Sequence, residues 1–396
     1  MYHNIVHSEM EAIALNVAGH GRYDLYGVPT AYCTPVFPLY LAGLFSVLGT
    51  GSLAQFVKVT LSCVASALRC GLVPLFAIDA GLGRGVAVLA GGLSVLYGAV
   101  YSGAMIQAEI SGGLDAPFVA LALLIVVWAI LRMWRGGAWQ THTPWWFFAC
   151  CGFCALLNPS LLPAMGGFLV AGAIACPAGA RRRYLRQTAL AALGILAFLL
   201  PWAIRNYRSV GAPIMTRSNF GIEFWVSNGG ADRTYDHPYN YETYHPTRSP
   251  FEAAKVAELG EVEYSRMRLQ EGIDWVRAHP GGFLRLTAQR FAAWWFPPLP
   301  VILLPPRIVL TLLAFAGLWL MFRLQPIVAW LFLVTWITFP DVYYIVHQTI
   351  RYRYPMDWQL LLAASVALFA AYRAVTARLR ARRAAREAAA VNGAAG

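Results

Sequence analysis

Charge is scarce in this chain of 396 residues: Asp, Glu, Lys and Arg make up 13% of it, and two of its 31 basic residues are lysines. A soluble protein of this length needs a polar surface that so few ionisable groups cannot supply, which excludes soluble enzymes and disordered regulators. Cysteine gives little purchase. Cys63, Cys70, Cys150, Cys151, Cys154 and Cys176 fall in apolar runs and Cys33 stands apart from them, so neither a disulfide scaffold nor a zinc site is indicated. A phosphate-cradling loop is missing too, because Gly81, Gly83 and Gly85 follow no strand. No internal repeat is visible, which weighs against transporters built from duplicated halves. What the sequence holds instead is 58% hydrophobic residues, a mean hydropathy of +0.53 and 54 aromatic side chains, the makeup of a chain embedded in a bilayer with aromatic belts.

Nine apolar stretches approach the roughly 20 residues that a helix needs to cross a membrane. They run over 51–79, 84–104, 113–133, 145–158, 160–177, 187–206, 302–323, 326–346 and 355–375. Val36–Leu48 opens on Pro35 and Pro38 and is too short to span, so it reads as an interfacial or re-entrant helix. Arginine sets the orientation. With residues 1–50 outside, the inner connections and tail hold 14 basic residues against Asp79 and Glu387, which accounts for the entire net charge of +12. The charge is thus a topology signal and calls for no nucleic acid. An outside start without a basic n-region or apolar h-region in Met1–Tyr40 leads to the expectation of one more span upstream in the full gene product.

The expected architecture is an all-α polytopic membrane protein. Residues 1–50 form a first external loop with an interfacial helix, 51–206 about six spans, 207–298 an external domain of helix and loop, 299–375 about three spans and 376–396 a basic cytoplasmic tail. Within the external domain, Asn219–Pro246 reads as loop, Ser249-Pro250 as the cap of a helix over Phe251–Ala278, and His279-Pro280-Gly281-Gly282 as its break. Phe283–Phe296 follows as an amphipathic helix that carries Phe291, Trp294 and Trp295 to the headgroup layer.

An enzyme on the outer face of a bilayer has no soluble nucleotide sugar to draw on. A lipid-linked phosphate arriving laterally would call for a carboxylate to take a proton from the acceptor, and for outer-face arginines to hold the phosphate. Glu9 and Glu11 supply the first, and their spacing of two turns them to different faces of a helix, so one of them serves as base. Glu109 and Asp115 flank the next outer loop, where a helix cap competes with a place in the site. Arg205 with Asn206, Arg217, and Arg351 and Arg353 around Tyr352 supply the second, with Lys58 early in its span. Arg69, deeper in that span, has no evident partner in the sequence. His3 and His7 are not read as a metal site; no cofactor is called for, and a divalent metal is left open.

Glu9–Tyr23 (EMEAIALNVAGHGRY) followed by Thr34–Phe45 (TPVFPLYLAGLF) resembles the first external loop and next helix of the family 39 membrane glycosyltransferases, which include protein mannosyltransferases and lipid A aminoarabinose transferases. Pro201–Tyr207 (PWAIRNY), Arg217–Glu223 (RSNFGIE), Asn228-Gly229, Leu259–Tyr264 (LGEVEY) and Arg351–Pro355 (RYRYP) resemble a bacterial branch of it. The resemblance implies a GT-C fold, a polyprenyl-phosphate sugar donor and a lipid, glycan or protein acceptor. It places the first-loop catalytic acid on Glu9, where many members have Asp, and the protein in the bacterial inner membrane. It also implies that an initial span is absent here. The rival reading is a transporter or flippase of a lipid-linked saccharide, which predicts a polar path through the spans.

Overall fold

The computed structural model describes residues 8–101, 115–135, 145–228, 243–296, 304–347 and 350–394. The regular elements among them are helices apart from one small hairpin. The chain opens with α1 (Glu9–His20), strands β1 (Asp24–Leu25) and β2 (Val28–Pro29), and α2 (Val36–Leu48). Helices α3 (Ser52–Asp79), α4 (Arg84–Tyr101), α5 (Ala116–Arg135), α6 (Trp145–Leu157), α7 (Leu161–Ala175) and α8 (Arg181–Val210) follow. Next come α9 (Phe220–Asn228), α10 (Pro250–Leu259), α11 (Glu261–Ala278) and α12 (Pro280–Trp295). The last group is α13 (Leu304–Leu324), α14 (Pro326–Thr338), the short α15 (Asp341–Ile345) and α16 (Ile350–Arg353), and α17 (Asp357–Ala394).

Among the described residues, six segments are long and apolar enough to cross a membrane: Ser52–Asp79, Ala116–Arg135, Ala178–Val210, Pro306–Leu324, Pro326–Ile345 and Arg351–Glu387. The other three expected spans are the shorter apolar helices α4, α6 and α7. Asn158-Pro159-Ser160 divides α6 from α7: the Asn158 Oδ1 accepts from the Ser160 amide (3.1 Å) and hydroxyl (2.8 Å), a side-chain turn that ends the first helix. Their 13 and 15 residues reach about 20 Å each, too little to span singly. The bundle closes most tightly where α13 crosses α17, at Gly317, whose missing side chain lets the two backbones meet.

Residues 8–50 carry more regular structure than a loop. Ser8 caps α1 by accepting from the Glu11 amide (3.3 Å). The hairpin β1–β2 turns on Tyr26-Gly27, both with positive φ, the conformation that a two-residue turn demands. In the 207–298 domain two boundaries differ from expectation. Gly260, at φ 79°, separates α10 from α11, so Phe251–Ala278 is two helices. The later break is His279 alone, because Pro280 sits at the first position of α12, where its lost amide costs nothing. The cap predicted at Ser249 is present, its hydroxyl accepting from the Glu252 amide (3.4 Å). Asn219–Pro246 is not loop throughout: α9 lies within it, pressed on α11 where a Cβ on Gly221 would strike the Ser265 carbonyl. Trp294 and Trp295 are buried in protein, against Tyr343 and Trp336 respectively, while Phe291 is exposed.

Candidate functional site

The two acids of the first turn of α1 diverge. Glu11 is buried and meets Lys58 of α3 at 3.1 Å, with the Gln55 amide also donating to it (3.3 Å). Removing one partner of a buried pair costs about 3–5 kcal/mol, so this contact anchors α1 to the bundle and occupies the Lys58 ammonium. Glu9, half-buried, turns toward the following loop, where it acts electrostatically on Cys33 together with Arg217, Asp115 and Glu261. Burial pushes the Cys33 thiol up, and the acids around it add to that; it is a neutral wall of the site, not a nucleophile.

Arg217 is the centre. Its Nη2 stands 3.8 Å from Asp115 Oδ2, and its Nε and Nη2 have no hydrogen-bond partner although both atoms are buried. Burial works against this cation, but Cys33, Asp115, Tyr343 and Tyr352 around it outweigh that and hold its pKa up. Asp115 is set by the Asn158 amide, which donates to the same Oδ2 at 2.8 Å. Its backbone carbonyl starts α5, accepting from the amides of Phe118 and Val119, but its side chain enters the site instead of capping the helix. Tyr343 and Tyr352 stack at 4.7 Å on the far side, and Arg351 Nη2 donates to the Tyr352 hydroxyl (3.0 Å). Glu9, Asp115, Arg217 and the adjacent Arg351 and Tyr352 therefore converge from four distant segments.

The other expected residues lie elsewhere. Arg205 donates to the carbonyls of Thr30 (2.5 Å) and Tyr23 (3.0 Å) and to Asn206 Oδ1 (3.0 Å), sandwiched between the rings of Tyr23 and Trp202. Asn206 is wholly buried and donates to the Ile214 carbonyl (2.7 Å). The pair holds the loop that carries Cys33. Arg353 is 1% exposed; its Nε meets Asp357 at 2.9 Å and its Nη1 the carbonyls of Trp294 and Trp295, both at 2.9 Å. Glu109, His3 and His7 lie outside the described residues. Among the described residues no group of three His, Cys, Asp or Glu could hold a metal ion.

Three polar constructions beside the site were not foreseen. Glu261, at the start of α11, accepts from the Thr30 and Ser218 hydroxyls and from the Ala31 amide (2.8 Å), joining the first segment to the 207–298 domain. Burial raises its pKa despite those donors. The buried His245 ring accepts the Thr247 amide at Nδ1 (3.2 Å), leaving the Nε2 proton for the Tyr32 hydroxyl (2.7 Å) and Glu223 (3.5 Å). Burial alone would raise Glu223, but the contact with His245 wins and lowers it. Third, Glu252, Tyr264 and Arg268 form a knot under the Trp225 ring, with the Tyr264 hydroxyl 2.6 Å from Glu252 and the guanidinium 3.8 Å from the ring centre. Asn158, which sets Asp115 in the Arg217 site, reads in the sequence only as the split between two apolar runs, although a polar triplet inside such a run is a signal that could have found it. No protein-family model, curated protein or solved structure matches the chain.

Proposed function

We propose that the protein is a membrane glycosyltransferase that moves a sugar from a polyprenyl-phosphate-linked donor to an acceptor hydroxyl, with its site at the extracytoplasmic end of a GT-C-like bundle. The observation that carries this reading is Arg217: a charged guanidinium with two buried, unsatisfied N–H groups, 3.8 Å from the Asp115 carboxylate and beside Cys33, on which Glu9 also acts, at the end of an apolar helix bundle. Glu9 takes the proton of the acceptor hydroxyl as its oxygen bonds to the anomeric carbon. The bond from that carbon to the phosphate oxygen breaks, and the polyprenyl phosphate leaves as an anion that needs positive charge more than a proton. Arg217 supplies that charge, with Arg351 behind it across Tyr352. Asp115 orients Arg217; Arg205 and Asn206 position the loop.

The test incubates membranes with a panel of radiolabelled polyprenyl-phosphate sugars and follows label into product. Glu9→Gln is expected to abolish transfer in a folded protein, and Arg217→Ala to lower it by about a hundredfold or more, as loss of one transition-state donor does. Label transferred at the normal rate by either variant removes that residue from the mechanism, and no transfer from any donor by the intact chain sinks the reading.

A further inference from the structure

Arg69 on α3 is 1% exposed, yet its Nε and Nη1 have no hydrogen-bond partner. Its Nη2 makes one long contact, 3.8 Å to Cys70 Sγ, and its guanidinium lies over the Tyr354 ring at 4.5 Å. A second unsatisfied donor stands nearby on α4: Ser94 is 1% exposed, its hydroxyl is unpartnered, and its carbonyl accepts the Cys70 thiol (3.7 Å). A third is Arg353 Nη2, one residue before Tyr354. Asp357 pairs with Arg353 through its Nε (2.9 Å) and accepts from the Tyr97 hydroxyl (2.6 Å), which engages both its oxygens away from Arg69 and Ser94. Arg307, buried over the Tyr97 ring at 5.3 Å, adds positive potential to the same layer. A buried guanidinium without a counter-charge is among the most unfavourable arrangements a protein can hold, and inside an apolar bundle it marks a site.

We propose that this cluster is an anion site within the bundle and that its occupant is the phosphate head of a membrane lipid. Unsatisfied donors on two arginines and a serine, brought into one neighbourhood by the Arg69–Tyr354 and Cys70–Ser94 contacts, suit an anion with several oxygens better than a single point charge. Depth selects a lipid. Arg69 is ten residues from the Asp79 end of α3 and 17 from the Ser52 end, about 15 and 26 Å along the helix, so any phosphate reaching it must shed water, a cost that an attached acyl chain offsets and a free anion has nothing to offset. Leu68, Val95 and Leu96 beside it are 51%, 60% and 60% exposed, an apolar surface on which a lipid chain can lie. The cluster is distinct from the Arg217 site: Tyr354 packs on Ala116 and Ala120, which puts the first turn of α5 between them. The inference therefore does not rest on sugar transfer and survives if that reading fails.

Native mass spectrometry of the purified full chain in mild detergent tests it, with polyprenyl phosphate, phosphatidylglycerol and inorganic phosphate as separate probes. One lipid per chain is expected to bind saturably, and whichever of the two binds tighter names the source. R69L is expected to weaken binding at least tenfold, and S94A, a change too small to threaten folding, severalfold. Three results overturn the proposal: no saturable lipid in the wild type, equal binding by S94A and by a folded R69L, or inorganic phosphate binding as tightly as the lipids.

Discussion

Each charged side chain around the proposed site has a burial state that decides what it can do. Lys58 and Arg353 have carboxylates at 3.1 and 2.9 Å and are nearly inaccessible, and Arg205 spends its donors on two main-chain carbonyls and an amide oxygen. Such groups hold architecture. Arg217 keeps buried N–H groups unsatisfied, which is what a cation waiting for a ligand looks like. Glu261 makes a prediction of its own. Burial raises its pKa, so folding favours its protonated form. In the window between the ordinary carboxylate value and that raised value, the unfolded chain binds fewer protons than the native one, and stability must fall as pH rises. Glu252, lowered because Tyr264, Arg268 and Lys255 outweigh its burial, has the opposite sign and loses stability as pH falls through its depressed value. Thermal melts of the wild type and Glu261→Gln across this window are expected to show a downward slope with rising pH that the variant flattens. Parallel curves would mean that Glu261 titrates normally.

Helices meet here through glycine as much as through large side chains. At Gly317 an added Cβ would lie 1.7 Å from the Ala363 carbonyl oxygen, and because that atom is backbone the neighbour cannot swing aside. Gly317→Ala is expected to pry α13 from α17 and cost about 1–3 kcal/mol, the usual price of overpacking. Gly71→Ala, on α3 with nothing within 4 Å, is the matched control and is expected to be neutral or slightly stabilising. Equal melting temperatures for the two variants would refute the close crossing. The signals that placed elements correctly were local ones: Pro35 and Pro38 at the start of α2 and Ser249-Pro250 before α10. Failures came where tertiary contact overrides composition. The polar run that hides α9 is helical because Ile222, Phe224 and Trp225 are buried in the domain that α11 completes. Asp115 looks like a cap in sequence, and only the meeting with Asn158 and Arg217, 43 and 102 positions away, shows its carboxylate in the site. Glu9 and Arg351 were legible as chemistry, but their convergence through Cys33 and Tyr352 is a property of the fold.

The whole molecule has two ends of different electrical character. At one, Arg132 pairs with Asp79 at 2.8 Å, Arg135 donates to the carbonyls of Asp79 and Ala80, and beyond them the exposed arginines of α17 have one acid, Glu387, in their midst. At the other, the arginines of α11 are matched by neighbours: Arg266 with Glu263, Arg268 with Glu252 and Glu271, Arg277 with Asp274. Unbalanced basic residues stay on the cytoplasmic side of a membrane, whereas a balanced domain can be moved across it. The tail of α17 is therefore expected inside and the 207–298 domain outside, which is also the side where a lipid-linked donor, and no soluble nucleotide sugar, would be at hand. Single cysteines placed at two exposed positions, Glu263 and Arg382, in a chain stripped of its seven native thiols decide this. In intact cells whose outer envelope is permeabilised, a membrane-impermeant maleimide is expected to label Glu263→Cys and spare Arg382→Cys, with both labelled once the inner membrane is opened. The reverse pattern would put the Arg217 site in the cytoplasm, where soluble activated sugars are available and the case for a lipid-borne donor loses its physical ground.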